Sequence, residues 1–351
     1  MILQHKAASH HLPVFSDIAD AARLLYPLMP MSPMFKASAA LTRQLGVELF
    51  IKAECCTEGG SFKLHGALTY ALRLDEATRQ KGLVAYSSGN HAIGVAVAAC
   101  KLGCPATVFV PDDMPGIKRH KLELYGANIL TYNRQDDDRA ALATAYADKY
   151  ALSLIPPFNH PWTISGQGVV GLEIMCQAAK HDFTPEVIFT PCGGGGLSSG
   201  IALAMLGTAT PGELVICEPS THNDAQKLLM QGVRVCNKPS SVTICDALQA
   251  PVMGSIPQDI MHRYQKSGRP LRALSVHDKF VKCAIALAWR EFGLMLEPSG
   301  AVALATALKF RKRFEGKRLV VVASGGNVDP EKFQSYRAWG DRHMSRILHL
   351  G

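Results

Sequence analysis

The stretch Gly59-Gly60-Ser61-Phe62-Lys63-Leu64-His65-Gly66-Ala67 lies between a strand-like run, Val47-Glu48-Leu49-Phe50-Ile51-Lys52-Ala53, and a helix-like run, Ala67-Leu68-Thr69-Tyr70-Ala71-Leu72-Arg73. Lys63 therefore falls at a polar turn where a helix begins. The partial positive charge of a helix N-terminus disfavours an ammonium group there. An amine that is partly neutral near pH 7 can attack a carbonyl and form a Schiff base. Lysines at helix starts are more often solvated surface groups, so Lys63 acquires meaning only from its surroundings.

Outward from this turn the chain alternates strand and helix patterns. Upstream, an amphipathic helix is predicted around Ser16 to Leu25, an extended passage through Pro27, Pro30 and Pro33, and a helix from Ala39 to Leu45 closed by Gly46. Downstream, strands are expected at Leu83 to Tyr86, Ala106 to Val110 and Asn128 to Tyr132. Helices are expected at Ala92 to Leu102, Pro115 to Tyr125 and Arg139 to Tyr150. The second half repeats the style with strands Glu186 to Thr190, Leu214 to Glu218 and Arg318 to Ala323, and a helical tail from Phe333. Successive βα units build parallel sheets. The expected fold is α/β, with two open, mostly parallel sheet domains and a site between them. Residues 1–75 and 156–351 would form the large domain, and 76–155 a small mobile one.

Composition narrows the function classes. The 351 residues are 48% apolar, ample for a large core. No apolar run is long enough to span a bilayer, and the N-terminus lacks the apolar core of a secretory signal. The ten cysteines show no CxxC pair and no metal-finger spacing, which fits free thiols in a reducing compartment. A cytoplasmic protein with no membrane partner is expected. The formal charge is +8, but the basic residues are dispersed apart from Lys309, Arg311, Lys312 and Arg313, and aromatics are only 7%. No nucleic-acid partner is expected.

The most specific local signal is Pro191-Cys192-Gly193-Gly194-Gly195-Gly196-Leu197, a glycine loop between an apolar strand and a small-residue helix. Backbone N–H groups approach a phosphate closely where no Cβ intrudes, and the helix start adds positive charge. The loop is neither a GxGxxG fingerprint nor a P-loop. Three more polar loops each follow a strand: Ser87 to His91, Glu218 to Asp224 and Ser324 to Asn327. In an open parallel sheet such loops gather at the carboxyl ends of the strands. An amine, a phosphate cradle and several small hydroxyl and amide groups together fit pyridoxal phosphate.

The chain resembles the fold-type II pyridoxal-phosphate enzymes of the serine/threonine dehydratase and serine racemase family, which share a tryptophan synthase β-like fold. The matching pieces occur in family order: Gly60-Ser61-Phe62-Lys63, Ser87-Ser88-Gly89-Asn90-His91, Gly166-Gln167-Gly168, Gly193 to Leu197, Glu297-Pro298-Ser299-Gly300-Ala301 and Ser324-Gly325-Gly326-Asn327. By that resemblance Lys63 holds the cofactor and acts as the base, and the larger domain is the cofactor-binding one. Phe62 packs against the ring, Asn90 bonds the ring hydroxyl, Gly193, Gly194, Gly195, Gly196 and Leu197 take the phosphate, and Ser324 faces the ring nitrogen. Ser87, Ser88, Asn90 and His91 receive the carboxylate of an amino-acid substrate. Ser88 also allows an acid/base on the face opposite Lys63, as in racemases of the family. Glu218 and Asp224, with the His222 carbonyl between them, imply a Mg²⁺ or Ca²⁺ site.

Two positions depart from the family pattern. His65 stands where arginine is usual, and Ile93 where glutamine is usual. Ile93, if it lines the pocket, makes the β-substituent site more apolar and admits a bulkier substrate. The expected activity is an ammonia-lyase (dehydratase) converting serine, threonine or a bulkier β-hydroxy amino acid to a 2-oxo acid and ammonia. The alternatives are a serine-type racemase using Lys63 and Ser88, and a non-catalytic pyridoxal-phosphate-binding protein. A homodimer is expected, as is common in the family.

Overall fold

The computed structural model describes residues 12–349 apart from Ser88, Arg134, Gln135, Pro239 and Ser240, with the backbone alone for 346–349. The strands are β1 (Met34–Lys36), β2 (Glu48–Ala53), β3 (Leu83–Tyr86), β4 (Ala106–Pro111), β5 (Asn128–Tyr132), β6 (Ser153–Leu154), β7 (Val187–Pro191), β8 (Glu213–Pro219), β9 (Leu271–Val276) and β10 (Arg318–Ala323). The first seven α-helices are α1 (Phe15–Leu25), α2 (Ala39–Leu45), α3 (Lys63–Arg73), α4 (Glu76–Lys81), α5 (Asn90–Leu102), α6 (Gly116–Leu124) and α7 (Arg139–Tyr150). The others are α8 (Pro161–Lys180), α9 (Gly196–Gly207), α10 (Asp224–Gln231), α11 (Ser255–Lys266), α12 (Asp278–Phe292), α13 (Pro298–Phe310) and α14 (Pro330–His349).

Two sheets result, as the alternating pattern predicts. One has the order β1-β2-β10-β7-β8-β9 and is parallel except for β1; the other has the order β5-β4-β3-β6 and is parallel throughout. The larger sheet is buried on both faces. Leu49, Ile51, Phe189, Val215 and Val321 face α12, α13 and α14, whereas Phe50, Ile188, Leu214, Val320 and Val322 face α1, α8 and α9. This period-two division is why its strands are apolar throughout. In the smaller sheet Leu83, Ala85, Val108 and Val110 pack on α5, and Val84 and Phe109 on α7.

The sequence pattern missed α8, a helix of 20 residues. It has no polar face to reveal a helical period, because α3 and α9 cover it. Glycines on the facing helices admit the close approach: a Cβ on Gly166 of α8 would lie 2.6 Å from the His65 carbonyl oxygen of α3, and one on Gly200 of α9 would lie 2.5 Å from Gly168 N. The helix that begins with Lys63 is thereby seated on α8 almost backbone to backbone.

Strand β10 pairs with β2 in register from Arg318 opposite Glu48 to Ala323 opposite Ala53. The carboxyl ends of β2, β10, β7 and β8 are neighbours in the sheet. The Lys63 turn, the Ser324 loop and the glycine loop follow the ends of β2, β10 and β7, and Glu218 lies at the end of β8 itself. Parallel connection gathers residues that are 260 positions apart in the chain at one rim.

Candidate active site

At that rim a cavity of about 680 Å³ opens between the two sheets. Its wall includes Phe62, Lys63, Ser87, Asn90, His91, Gly193, Gly194, Gly195, Gly196, Leu197, His222 and Ser324. The sequence-expected residues are thus brought together, with three exceptions. Ser88 lies outside the described residues. Glu218 and Asp224 are not on the cavity wall.

Lys63 is the first residue of α3. Its amine donates to the Pro157 carbonyl at 2.8 Å and lies 5.1 Å from the centre of the Phe62 ring. Burial lowers its pKa to about 8. The helix-start argument expects a lowered pKa, but withdrawal from water produces it. The turn is pinned on the cavity side by the loop after β10. Phe62 N–H donates to the Ser324 carbonyl at 3.1 Å, Gly326 N–H donates to the Gly60 carbonyl at 2.9 Å, and Ser61 bridges Gly325.

The glycine loop has the geometry of an anion cradle. Among the described residues, the N–H groups of Gly193 to Leu197 donate to no backbone carbonyl, and α9 begins at Gly196. Gly195 has φ +89°, and a Cβ on Gly194 would lie 2.3 Å from the Phe158 ring. Unsatisfied donors at a helix start, walled by side chains that exclude a Cβ, fit a phosphate. With the buried amine opposite, the residues fit pyridoxal phosphate.

Asn90 opens α5 and its side chain is held at both ends. Its Nδ2 donates to Glu297 Oε1, and its Oδ1 accepts from Asn327 Nδ2 at 2.7 Å. Glu297 is buried, which raises its pKa to about 7 against the opposing pull of Lys118. Lys118, from α6, donates to Asp246 Oδ2 at 2.6 Å and sits 3.7 Å from Glu297 Oε2. Burial pulls the Lys118 pKa down, but Glu297 and Asp246 outweigh it, so the amine stays protonated. His91 is pushed down to about 3 by burial and then by Lys63. Its neutral ring donates Nε2–H to the Ile155 carbonyl at 2.8 Å, leaving Nδ1 without a proton. The group His91 can offer an incoming carboxylate is therefore its backbone N–H.

Both departures from the family pattern lie away from the cavity wall. Ile93 is fully buried in the core of α5, so it does not shape the substrate pocket, and the expectation of a more apolar β-site is corrected. His65 points into a buried ionic group with Glu54, Glu173 and Lys52. Lys52 donates to Glu173 Oε2 at 2.6 Å, and His65 lies 3.5 Å from Glu54 Oε2 and 3.8 Å from Glu173 Oε1. Two carboxylates facing one ammonium balance in charge only when His65 is an imidazolium. Burial pulls its pKa down, but the two carboxylates raise it further than burial lowers it. Glu54, His65 and Glu173 are also the group of potential metal ligands found among the described residues. The Lys52 ammonium already supplies positive charge there.

At the expected metal site, Glu218 accepts the N–H groups of Ala225 at 2.9 Å and Gln226 at 2.8 Å, capping α10. Asp224 accepts from Asn237 Nδ2 and Met253 N–H, each at 2.7 Å. Sequence reasoning missed Pro157, Phe158, Lys118, Lys121 and Asp246. The Pro156-Pro157-Phe158 run was the available signal, since two prolines fix a loop that can wall a site. Nothing local marks the lysines of α6, whose partners are more than a hundred residues away.

The chain matches the family described as pyridoxal-phosphate dependent enzyme over residues 30–325. It is 33% identical to an L-threo-3-hydroxyaspartate ammonia-lyase of Saccharomyces cerevisiae over 324 residues, covering 92% of this chain and 95% of that protein. It is 30% identical to a serine racemase of Schizosaccharomyces pombe over 325 residues, covering 93% and 97%. The solved structure of a threonine deaminase from T.th. superposes with a TM-score of 0.84 at 33% identity, covering 90% of this chain and 99% of that one. The protein belongs to the pyridoxal-phosphate dependent enzyme family, and its two-sheet fold is that of the fold-type II members.

Proposed function

We propose that this protein is an ammonia-lyase of β-hydroxy amino acids, producing a 2-oxo acid and ammonia. The observation that carries the reading is a buried lysine amine of lowered pKa facing a cradle of free glycine N–H groups in one cavity. Pyridoxal phosphate, when bound, supplies an aldehyde that captures amines and a ring that draws electron density from the neighbouring carbon. Lys63 would hold the cofactor, Gly193 to Leu197 its phosphate, Phe62 one ring face and Asn90 the ring hydroxyl. Ser324 offers the ring nitrogen a hydroxyl in place of a carboxylate. A neutral partner stabilises a protonated ring weakly, which favours prompt loss of the β-hydroxyl over a long-lived carbanion.

Lys63 then serves as the base at the substrate α-carbon. With a pKa of about 8 it is neutral in about one molecule in ten at pH 7, against about one in three thousand for an ordinary lysine. The backbone N–H groups at the start of α5 receive the α-carboxylate. Residues 76–155, which carry the smaller sheet, act as the mobile unit that excludes water.

Among substrates, 3-hydroxyaspartate is favoured. Relatives carry that activity in their names, and Arg139 on the cavity wall offers a cation to an acidic β-substituent. Ammonia release from L-threo-3-hydroxyaspartate, L-threonine and L-serine, with Lys63→Ala as control, tests the assignment. Full activity in the lysine variant would defeat it. Serine racemases among the relatives support a second reading, in which Ser88 delivers a proton on the opposite face. D-serine formed without 2-oxo acid would favour it.

Glu218 and Asp224, with the His222 carbonyl, are proposed to bind a divalent cation beside α10. Two neighbouring buried carboxylates repel, and a cation would relieve that. Melting that rises with Mg²⁺ or Ca²⁺ after chelation, and does not in Asp224→Asn, is the expected result. A cytoplasmic homodimer remains part of the proposal, and sedimentation measures the assembly. No described helix is long and apolar enough to cross a membrane.

A further inference from the structure

Lys118 and Lys121 lie three residues apart on α6, so they share a face of that helix. Helix α6 connects β4 to β5 of the smaller sheet, yet both amines reach groups attached to the larger one. Lys118 lies 3.7 Å from Glu297, which caps the start of α13. Lys121 Nζ donates to Oδ1 of Asn327, in the loop after β10. Between these ends the contacts close a circuit: Glu297 Oε1 accepts from Asn90 Nδ2, and Asn90 Oδ1 accepts from Asn327 Nδ2 at 2.7 Å.

The direction of every bond in this circuit follows from its lysine end. A lysine ammonium only donates. Lys121 therefore requires the Oδ1 of Asn327 to face it, which turns Asn327 Nδ2 towards Asn90 and Gly59 O, the latter at 2.9 Å. That donor requires the Oδ1 of Asn90, which leaves Asn90 Nδ2 facing Glu297. Glu297 accepts there, and Lys118 favours the ionised acceptor form over the acid that burial favours. One N–H of Asn90 is left for the cofactor.

We propose that Lys118 and Lys121 are positioning residues: acting through Glu297 and Asn327, they fix the orientation of the Asn90 amide, so that docking of α6 sets the hydrogen bond Asn90 donates to the cofactor ring hydroxyl. The proposal rests on the reading of Asn90 as the partner of that hydroxyl. Neither lysine touches the cofactor in this account, and both act through the amide. The consequence is that the smaller sheet controls the ionisation of the bound ring as well as access to the site.

The test uses the holoenzyme with Lys118→Met, Lys121→Met and Lys121→Arg, and Glu123→Gln as a control on the exposed side of the same helix. Absorbance of the bound cofactor is titrated against pH, and cofactor retention is measured by dialysis. Each methionine variant should weaken retention by about tenfold, the change expected from losing one charge-assisted hydrogen bond. Each should also shift the pH midpoint of the spectrum, by about one unit. Lys121→Arg should restore both, and Glu123→Gln should match wild type. If Lys121→Met does not fold, Asn327→Asp keeps the Lys121 contact, removes the donor to Asn90 and must give the same spectral shift. Wild-type spectra and titrations in the lysine variants or in Asn327→Asp would overturn the proposal, as would a shift that arginine fails to restore. A wild-type chain that retains no cofactor defeats the reading of Asn90, and the proposal with it.

Discussion

Replacing Lys63 by methionine should make the cofactor-free protein more stable while abolishing its chemistry. In the unfolded chain Lys63 keeps its proton up to about pH 10.5, and in the folded chain only to about 8. Between those values the unfolded state binds more protons, so this group's contribution to stability rises with pH. At pH 7 the difference is worth at most about 3 kcal/mol of destabilisation, because each pKa unit is about 1.4 kcal/mol. Methionine is close in length and carries no charge, so it removes that penalty. It also removes the bond to the Pro157 carbonyl, about 1 kcal/mol. The net gain is about 2 kcal/mol at pH 7, or about 3 °C in Tm for a chain of this length. By pH 10 the folded lysine is neutral while the unfolded one is still about three-quarters protonated, so the penalty shrinks to about 1 kcal/mol, the lost bond to Pro157 offsets it, and the advantage should fall to about zero. Urea unfolding of both cofactor-free proteins at pH 7, 8.5 and 10 measures this. A variant less stable than wild type at pH 7, or an advantage unchanged at pH 10, would refute the picture of a lysine held partly neutral by burial.

Other expectations follow from the same electrostatics and packing. His65→Gln leaves two buried carboxylates facing one ammonium and should lower stability by about 3 kcal/mol in urea unfolding. In the wild type, ¹⁵N NMR should find His65 keeping its second ring proton to a higher pH than a free imidazole, since its pKa is raised. Glu297 keeps its proton to about pH 7 in the folded chain but only to about 4.5 unfolded, so its contribution to stability falls as pH rises through that window. Glu297→Gln should therefore gain in urea midpoint relative to wild type between pH 5 and pH 7.5; a constant difference would contradict the burial argument. Gly194→Ala places a methyl against the Phe158 ring and should weaken cofactor retention by about tenfold or more, read by dialysis and absorbance, with little loss of secondary structure.

The fold was legible where an apolar run is short and bounded by turn residues. Strands β2, β7, β8 and β10 announce themselves as apolar runs, α9 by its small residues, and α2, α5 and α6 by the glycines that close them. The α8 helix hid because its first half is enclosed on all sides, and β9 because its Leu271 to Val276 run sits at the sheet edge with mixed burial. The site was legible in its loops: glycines that admit phosphate, a lysine at a turn, and hydroxyl and amide groups after strands. What those residues touch was not. His65 stood out only as a departure beside Lys63, and it packs into a buried ionic group with Glu54 and Glu173. Ile93 looked like a pocket residue and is core.

The amino-acid sequence by itself determined the order of βα units, the glycine loop and the place of Lys63 at a helix start, because these depend on local backbone freedom and on residue type. Only the tertiary structure decided the charge states. Lys63 is partly neutral because packing removes water from its amine, and His65 holds its proton more tightly than a free imidazole because Glu54 and Glu173 converge on it from different elements. The Asn90 amide, likewise, is held by Glu297 and Asn327, which two lysines of α6 approach from the smaller sheet. Electrostatic energy depends on distance and on solvent access, and neither is written in the spacing of residues along a chain.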